Sequence, residues 1–263
     1  MKNALYLLLG VFATSASAAI VTKAVTYEHV GTKLQGFLVY DDSVAPDTKR
    51  PGVLVIPEWW GLDDFVKGRA EELARMGYVA FAADMYGNGV NTTDANKAKE
   101  LATPFFGKPL MAERAQAGLT QLLQSGLVDE TKVAAIGFCF GGSACQALAY
   151  TGAPLAGIVS FHGGLVQPSP EALEKIKAKI LMLNGAIDPA VKPEDITAWM
   201  KALDGAHKDY QFINYSGALH AFTNPESTKR AQANNMTARI GYNESAARRS
   251  WAHMKLFFDE IFK

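Results

Sequence analysis

Cysteine is scarce in this sequence, neither sign of charge is in excess, and no apolar run is long enough to cross a bilayer comfortably. Cys139 and Cys145 are the only cysteines. They fall at a tight turn and within the helix expected after it, where helical pitch turns the side chains apart, so no disulfide between them is expected. Cys145 reads as a small core residue of that helix. The 26 Lys and Arg residues balance 26 Asp and Glu residues and are dispersed along the chain. That even balance gives no electrostatic case for nucleic acid or an anionic membrane surface as partner. No internal repeat or low-complexity tract stands out. What the chain has is 49% hydrophobic content over 263 residues, enough for one large core, and an α/β domain of this size is commonly single.

The first residues follow a different logic. Lys2 precedes an apolar stretch from Ala4 to Ala13, and small residues then lead to Ala16-Ser17-Ala18. One basic residue, a short apolar core and an Ala-x-Ala site make a secretory signal cleaved after Ala18. Residues 1–18 are therefore expected to be removed. A single domain over residues 19–263, secreted or periplasmic, off the membrane and monomeric, is expected to remain.

Two alternating runs, 20–29 and 32–40, joined at Val30-Gly31, predict an opening antiparallel hairpin. Continuous apolar runs follow at 52–57 and 78–83, of the kind that forms strands covered on both faces. Asp63 or Asp64 can cap a helix between them that ends at Gly77. Further strands are expected at 132–137, 155–161, 179–184 and 210–215, and helices at 92–102, 111–124, 170–177, 193–203 and 242–262. After the antiparallel start, this alternation predicts an α/β fold with a mostly parallel central sheet and helices on both faces. Ligands in such sheets bind beyond the carboxyl ends of the strands. The polar stretch 88–109, lying past a strand end, is a candidate pocket rim.

Residues 132–145 run from a β-branched strand into small helical residues with almost no loop between. In Gly137-Phe138-Cys139-Phe140-Gly141 the glycines flank Cys139 at two residues on either side. This is the spacing of a nucleophile elbow with sulfur in place of a hydroxyl. Taken alone it is equally a buried cysteine at a tight turn. Asp188 and His220 follow, each in a loop past a later strand, in the order nucleophile, acid, base that an α/β-hydrolase requires. Each has a plainer use, Asp188 as a turn aspartate before Pro189 and His220 as a loop histidine. Together they favour a nucleophilic hydrolase in which His220 takes the thiol proton and Asp188 fixes its tautomer. A thiol hydrolase of another acyl bond, thioester or amide, and a silent ligand-binding scaffold remain alternatives.

The motifs Pro57-Glu58-Trp59-Trp60-Gly61, Asp84-Met85-Tyr86-Gly87, Gly137-Phe138-Cys139-Phe140-Gly141-Gly142, Gly185-Ala186-Ile187-Asp188 and His220-Ala221-Phe222 resemble the dienelactone hydrolase family. The resemblance covers nearly all of the mature chain. It implies hydrolysis of small-molecule esters or lactones by a Cys139, Asp188, His220 triad through an acyl thioester, with no metal or organic cofactor. It also implies that Glu58 contacts the thiol and helps to deprotonate it once substrate arrives. The oxyanion hole is expected at the backbone N–H groups of Trp59 and Phe140, and Trp60, Tyr86 and Phe222 are expected to wall the pocket. His162 is a second strand-end histidine, expected to be structural or pocket-lining. Two arginines that hold a substrate carboxylate in the family would be expected shortly after Tyr86 and shortly after His220. Those neighbourhoods contain none, which points to a neutral or differently shaped ester.

Overall fold

A computed structural model describes residues 19–45 and 47–263; the expected signal segment lies outside them. Strand β1 (Ile20–His29) turns at Val30-Gly31 into β2 (Thr32–Asp41), pairing antiparallel from Ile20 against Asp41 to His29 against Thr32. Then β3 (Arg50–Ile56), α1 (Asp64–Arg75), β4 (Val79–Ala82), α2 (Ala95–Ala102) and α3 (Leu110–Gln124) lead to β5 (Val128–Phe138). The chain continues through α4 (Phe140–Tyr150), β6 (Gly157–Phe161), α5 (Pro170–Lys175), β7 (Lys179–Gly185), α6 (Pro193–Gly205) and β8 (Tyr210–Tyr215). It closes with α7 (Ser227–Ala233) and α8 (Glu244–Ile261).

The strands form one sheet in the order β1-β2-β4-β3-β5-β6-β7-β8, parallel from β4 to β8. Their period of two sends alternate side chains to opposite faces. Leu54, Phe81, Ala135, Ile158 and Ile180 pack on one face with Leu119 and Leu122 of α3, Leu148 of α4 and Trp199 of α6. Val53, Val55, Ala80, Ile136, Val159 and Leu181 pack on the other with Val66 and Leu73 of α1 and Met254 and Phe258 of α8. Each such fully buried large side chain contributes about 1.5–3 kcal/mol over its exposed state. The structure is an α/β-hydrolase fold, as the strand and helix periods imply.

Asp63 caps α1, accepting from the Val66 N–H. Strands β3, β5, β6 and β7 end at one level of the sheet, at Ile56, Phe138, Phe161 and Gly185. The loops carrying Glu58, Cys139, His162 and Asp188 therefore emerge side by side. Several elements differ from the sequence reading: β5 begins at Val128, four residues before the expected start, and α2 begins at Ala95, three residues later than expected, because Asp94 caps it, accepting from the Asn96 and Lys97 N–H groups. Helix α7 is short and polar, with only Ser227 and Ala231 buried, so it gives no apolar period to recognise. Helix α8 starts two residues later than expected because Asn243 caps it, accepting from the Ala246 N–H.

Candidate active site

At the end of β5 the chain must reverse into α4 within one residue. Cys139 occupies that apex with φ 54° and ψ −114°, a conformation that L residues avoid and that persists only where the surroundings enforce it. Glycine on either side is what permits it. A Cβ on Gly137 would collide with the Gly141 carbonyl, and one on Gly141 with the Ile56 carbonyl. The turn presents a half-buried Sγ beside the first N–H groups of α4. Cys145 is completely buried in the same helix, and burial raises its pKa far above the ordinary thiol value. Both cysteines are free thiols.

His220 approaches from the loop after β8. That loop is held by a short parallel bridge to Ile240, with the His220 N–H donating to the Arg239 carbonyl at 3.1 Å. Its Nε2 lies 2.9 Å from Cys139 Sγ and its Nδ1 lies 2.7 Å from Asp188 Oδ2. The Asp188 side chain is wholly buried, and that of His220 is 14% exposed. Asp188 Oδ1 accepts from the Ala190 N–H at 2.8 Å. Burial works against a charged His220, but charge on Cys139 and hydrogen bonds to Asp188 and Cys139 outweigh it and lift its pKa well above the ordinary value. A thiol, an imidazole and a carboxylate thus lie in hydrogen-bond sequence, the order in which a nucleophile, its base and an orienting acid are arranged where such chemistry occurs.

Glu58 follows β3 and is 2% exposed. Its Oε2 accepts from Asn224 Nδ2 at 2.6 Å, while its buried Oε1 has no partner among the described residues. Among the described residues Glu58 makes no hydrogen bond to Cys139. Burial chiefly, with the charge of Asp63 adding to it, raises its pKa from 4.5 to about 7 against the Asn224 hydrogen bond and the charges of Arg230 and His220. No protein acceptor among the described residues takes the N–H of Trp59 or of Phe140, and both residues line the cavity over Cys139.

That cavity has a volume of about 600 Å³. Its floor is Cys139, His220, Asp188 and Ser143, with Trp59 and Phe140 beside them. The segment 88–109 reaches it through Ala95, Asn96, Lys99 and Phe106, and the segment after α7 closes it with Asn234, Met236, Arg239 and Ile240. Asn234 joins the two walls, accepting from the Ala95 N–H at 2.8 Å and donating to the Thr93 carbonyl at 3.0 Å. Arg239 and Lys99 make no ion pair with another described residue, so the cavity has cations even though neither expected arginine position supplies one. Sequence reading had no signal for the second wall, because α7 and the loop behind it lack apolar periodicity.

The three aromatic residues expected to wall the pocket sit elsewhere. Trp60 is 3% exposed and stacks under Arg230, with the guanidinium 5.6 Å from the ring centre. Phe222 is fully buried, 5.2 Å from the His162 ring and 5.4 Å from that of Tyr215. Tyr86 donates its O–H to the Trp59 carbonyl at 2.8 Å and packs on Phe140 and Phe105, bracing the Trp59 segment from behind. Asp84 sets up that contact, since its carboxylate accepts from the N–H groups of Gln35, Tyr86, Gly87 and Gly89. The cause of the difference is local. Trp59 and Trp60 are adjacent in a turn, where only one of two successive side chains faces the cavity.

The chain is matched by known proteins in sequence and in shape. A model of the dienelactone hydrolase family covers residues 34–262. A protein of Saccharolobus solfataricus, provisionally named a carboxymethylenebutenolidase, is 28% identical over 92% of this chain and 99% of its own length. Protein usf of Aquifex pyrophilus is 29% identical over 76% of this chain and 86% of its own. The crystal structure of P91, a dienelactone hydrolase-like promiscuous phosphotriesterase from metagenomic libraries, superposes with a TM-score of 0.87 at 37% identity. It covers 94% of this chain and 100% of that one. A family match that runs from β2 to the end of α8, and so takes in the elbow, the histidine loop and both cavity walls, makes this chain a member of the dienelactone hydrolase family.

Proposed function

We propose that this hydrolase cleaves carboxylic esters or lactones through an acyl thioester on Cys139, with His220 as acid and base and Asp188 as its orienting partner. The observation that carries the reading is the 2.9 Å and 2.7 Å chain from Sγ through the imidazole to Asp188 at the floor of the cavity. The Cys139 thiolate attacks the carbonyl carbon, and the oxyanion that forms is stabilised by the N–H groups of Trp59 and Phe140. Protonated His220 then gives its Nε2 proton to the departing alkoxide or enolate. Water, deprotonated at Nε2, attacks the thioester, and collapse of the second oxyanion releases the acid and restores the thiolate. Glu58, ionising near neutrality, helps to deprotonate the thiol by taking its proton when substrate displaces it from Asn224 and passing it to His220, so that one proton serves both groups. The enzyme works as a monomer after export and removal of residues 1–18, which amino-terminal sequencing of the mature protein and its solution mass would test.

The test of the chemistry is hydrolysis of a neutral aryl ester and an anionic enol-lactone by the protein and by Cys139→Ala, with mass spectrometry of the quenched reaction. Turnover with an acyl adduct on Cys139, both lost in the variant, is the expected result. Turnover that survives Cys139→Ala would remove the thioester mechanism, and folded protein inert toward both substrates would favour a binding scaffold. Because P91 is named a phosphotriesterase, an aryl phosphotriester belongs in the same panel as a second acyl-like electrophile.

A further inference from the structure

His162 is buried, close to the nucleophile, and absent from the chemistry just described. It ends β6 as Cys139 ends β5, the two strands being in register at Phe161 and Phe138. Like Cys139 it has a positive φ, of 42°. This turn points the imidazole back at the elbow. His162 Nδ1 accepts the backbone N–H of Cys139 at 3.1 Å, sharing it with the Phe161 carbonyl at 2.9 Å. At the other edge of the ring, Nε2 lies 2.7 Å from Thr223 Oγ1. Thr223 is itself 2% exposed and belongs to the loop that carries His220.

Resting on the reading of Cys139 as nucleophile, we infer that His162 and Thr223 are positioning residues that lock the strained elbow and tie it to the loop of the catalytic base. The chemistry of the two contacts fixes the tautomer. An Nδ1 that accepts an N–H must be unprotonated, so the neutral ring carries its proton on Nε2 and donates it to Thr223 Oγ1. Protonation of Nδ1 would break the contact with Cys139. Burial chiefly, with the nearby charges of His220 and Arg69, keeps His162 far below its ordinary pKa. The neutral ring thus stays in place while His220, 5.5 Å away between ring centres, gains and loses its proton. Both ring nitrogens are engaged, so His162 is not a rival base. One continuous run of hydrogen bonds, Cys139 N–H to Nδ1 and Nε2–H to Thr223, links nucleophile and base through groups that never touch substrate. Asn224, the next residue, extends it to Glu58.

The experiment compares His162→Phe, His162→Asn, Thr223→Val and Thr223→Ser. Phe fills the space without an acceptor, Asn restores an oxygen near the Nδ1 position, and Val removes only the Thr223 hydroxyl. Using a neutral aryl ester, His162→Phe should lose about 100-fold in kcat with little change in KM, the scale set by misplacement of reacting groups by about 1 Å. His162→Asn should recover most of that loss, and Thr223→Ser should match wild type. The double variant His162→Phe with Thr223→Val should be no worse than His162→Phe alone, as expected for one chain of contacts. Alkylation of Cys139 by iodoacetamide should slow in parallel, a readout that does not depend on ester turnover. Proton–nitrogen correlation spectra of histidine-labelled wild-type protein should show His162 as the Nε2–H tautomer, unchanged from pH 5 to 9. An Nδ1–H tautomer, a titration of His162 in that range, or a folded His162→Phe whose kcat and alkylation rate stay within twofold of wild type would overturn the inference. If His162→Phe does not fold, Thr223→Val and the spectra decide it. Wild-type protein without esterase activity but with the stated tautomer and alkylation pattern would count against the hydrolase reading and not against the positioning one.

Discussion

Replacing Glu58 with Gln should stabilise the protein above neutral pH while impairing it as an enzyme. The carboxyl group is 2% exposed and its pKa stands at about 7 in the fold against 4.5 for the ordinary group, with burial the main cause. Between those two values the folded protein keeps a proton that the unfolded chain has released. Stability therefore falls as pH rises through this window, and the loss is complete above the folded value. A rise of about 2.5 pH units at about 1.36 kcal/mol each makes that loss about 3 kcal/mol. Glu58→Gln has the same shape, keeps an oxygen for the Asn224 N–H, and never ionises. Thermal unfolding should coincide for the two proteins near pH 4.5 and diverge by about 6–12 °C in favour of the variant at pH 8.5, at about 2–4 °C per kcal/mol for a domain of this size. Ester turnover should be lower in the variant throughout. Melting temperatures that run parallel from pH 4.5 to 8.5 would show that no buried acid at this position titrates there, and the reasoning would fail at its first step.

Asp188→Asn should leave the fold and KM intact and lower kcat by about 10³–10⁴-fold, because an amide at the Asp188 position cannot hold the imidazolium or impose its tautomer; steady-state kinetics with a melting curve would check it, and a loss under tenfold would deny Asp188 its role. Tyr86→Phe removes the hydrogen bond to the Trp59 carbonyl and, if the proposed oxyanion role of the Trp59 N–H holds, should cost about tenfold in kcat by loosening that donor, with no effect expected on Cys139 alkylation. Lys99 and Arg239 face the cavity without ion-pair partners among the described residues, so changing both to Ala should raise KM for a carboxylate-bearing ester and leave that for its neutral analogue unchanged. The difference should vanish near 1 M salt, where the screening length is about 3 Å; equal effects on both esters would refute an electrostatic origin.

The fold and the cluster of Cys139, His220 and Asp188 were legible because each leaves a mark in local sequence. Apolar alternation in β1 and β2, the continuous apolar runs of β3 and β4 and the i, i+4 spacing of buried Met111, Ala115 and Leu119 in α3 are direct consequences of strand and helix geometry. Cys139 is marked by the two glycines that its φ of 54° demands, and Asp188 and His220 by their places just past β7 and β8. The cavity walls leave no such mark. Phe106, Asn234 and Arg239 come together only because Asn234 bridges two loops far apart in the chain, and Ile240 because it pairs with His220 outside any strand. Nor did sequence adjacency separate Trp59, over the nucleophile, from Trp60, in the packing beneath it.

Asn224 shows how one such position changes the chemistry of the rest. It stands in the neighbourhood after His220 where an arginine was expected, and its amide holds Glu58 Oε2 at 2.6 Å. A guanidinium at that distance would stabilise the carboxylate strongly and keep it charged at any working pH. An amide offers one neutral hydrogen bond, and Arg230, whose charge favours the Glu58 carboxylate, is committed to Asp63 at 2.7 Å. Burial therefore prevails, and Glu58 is left near neutrality instead of fully ionised. A group in that state gains a proton without having to surrender a counter-ion first. On the mechanism proposed above, activation of the thiol would then need no substrate anion to draw a cation away, which predicts turnover of neutral esters as well as of charged ones.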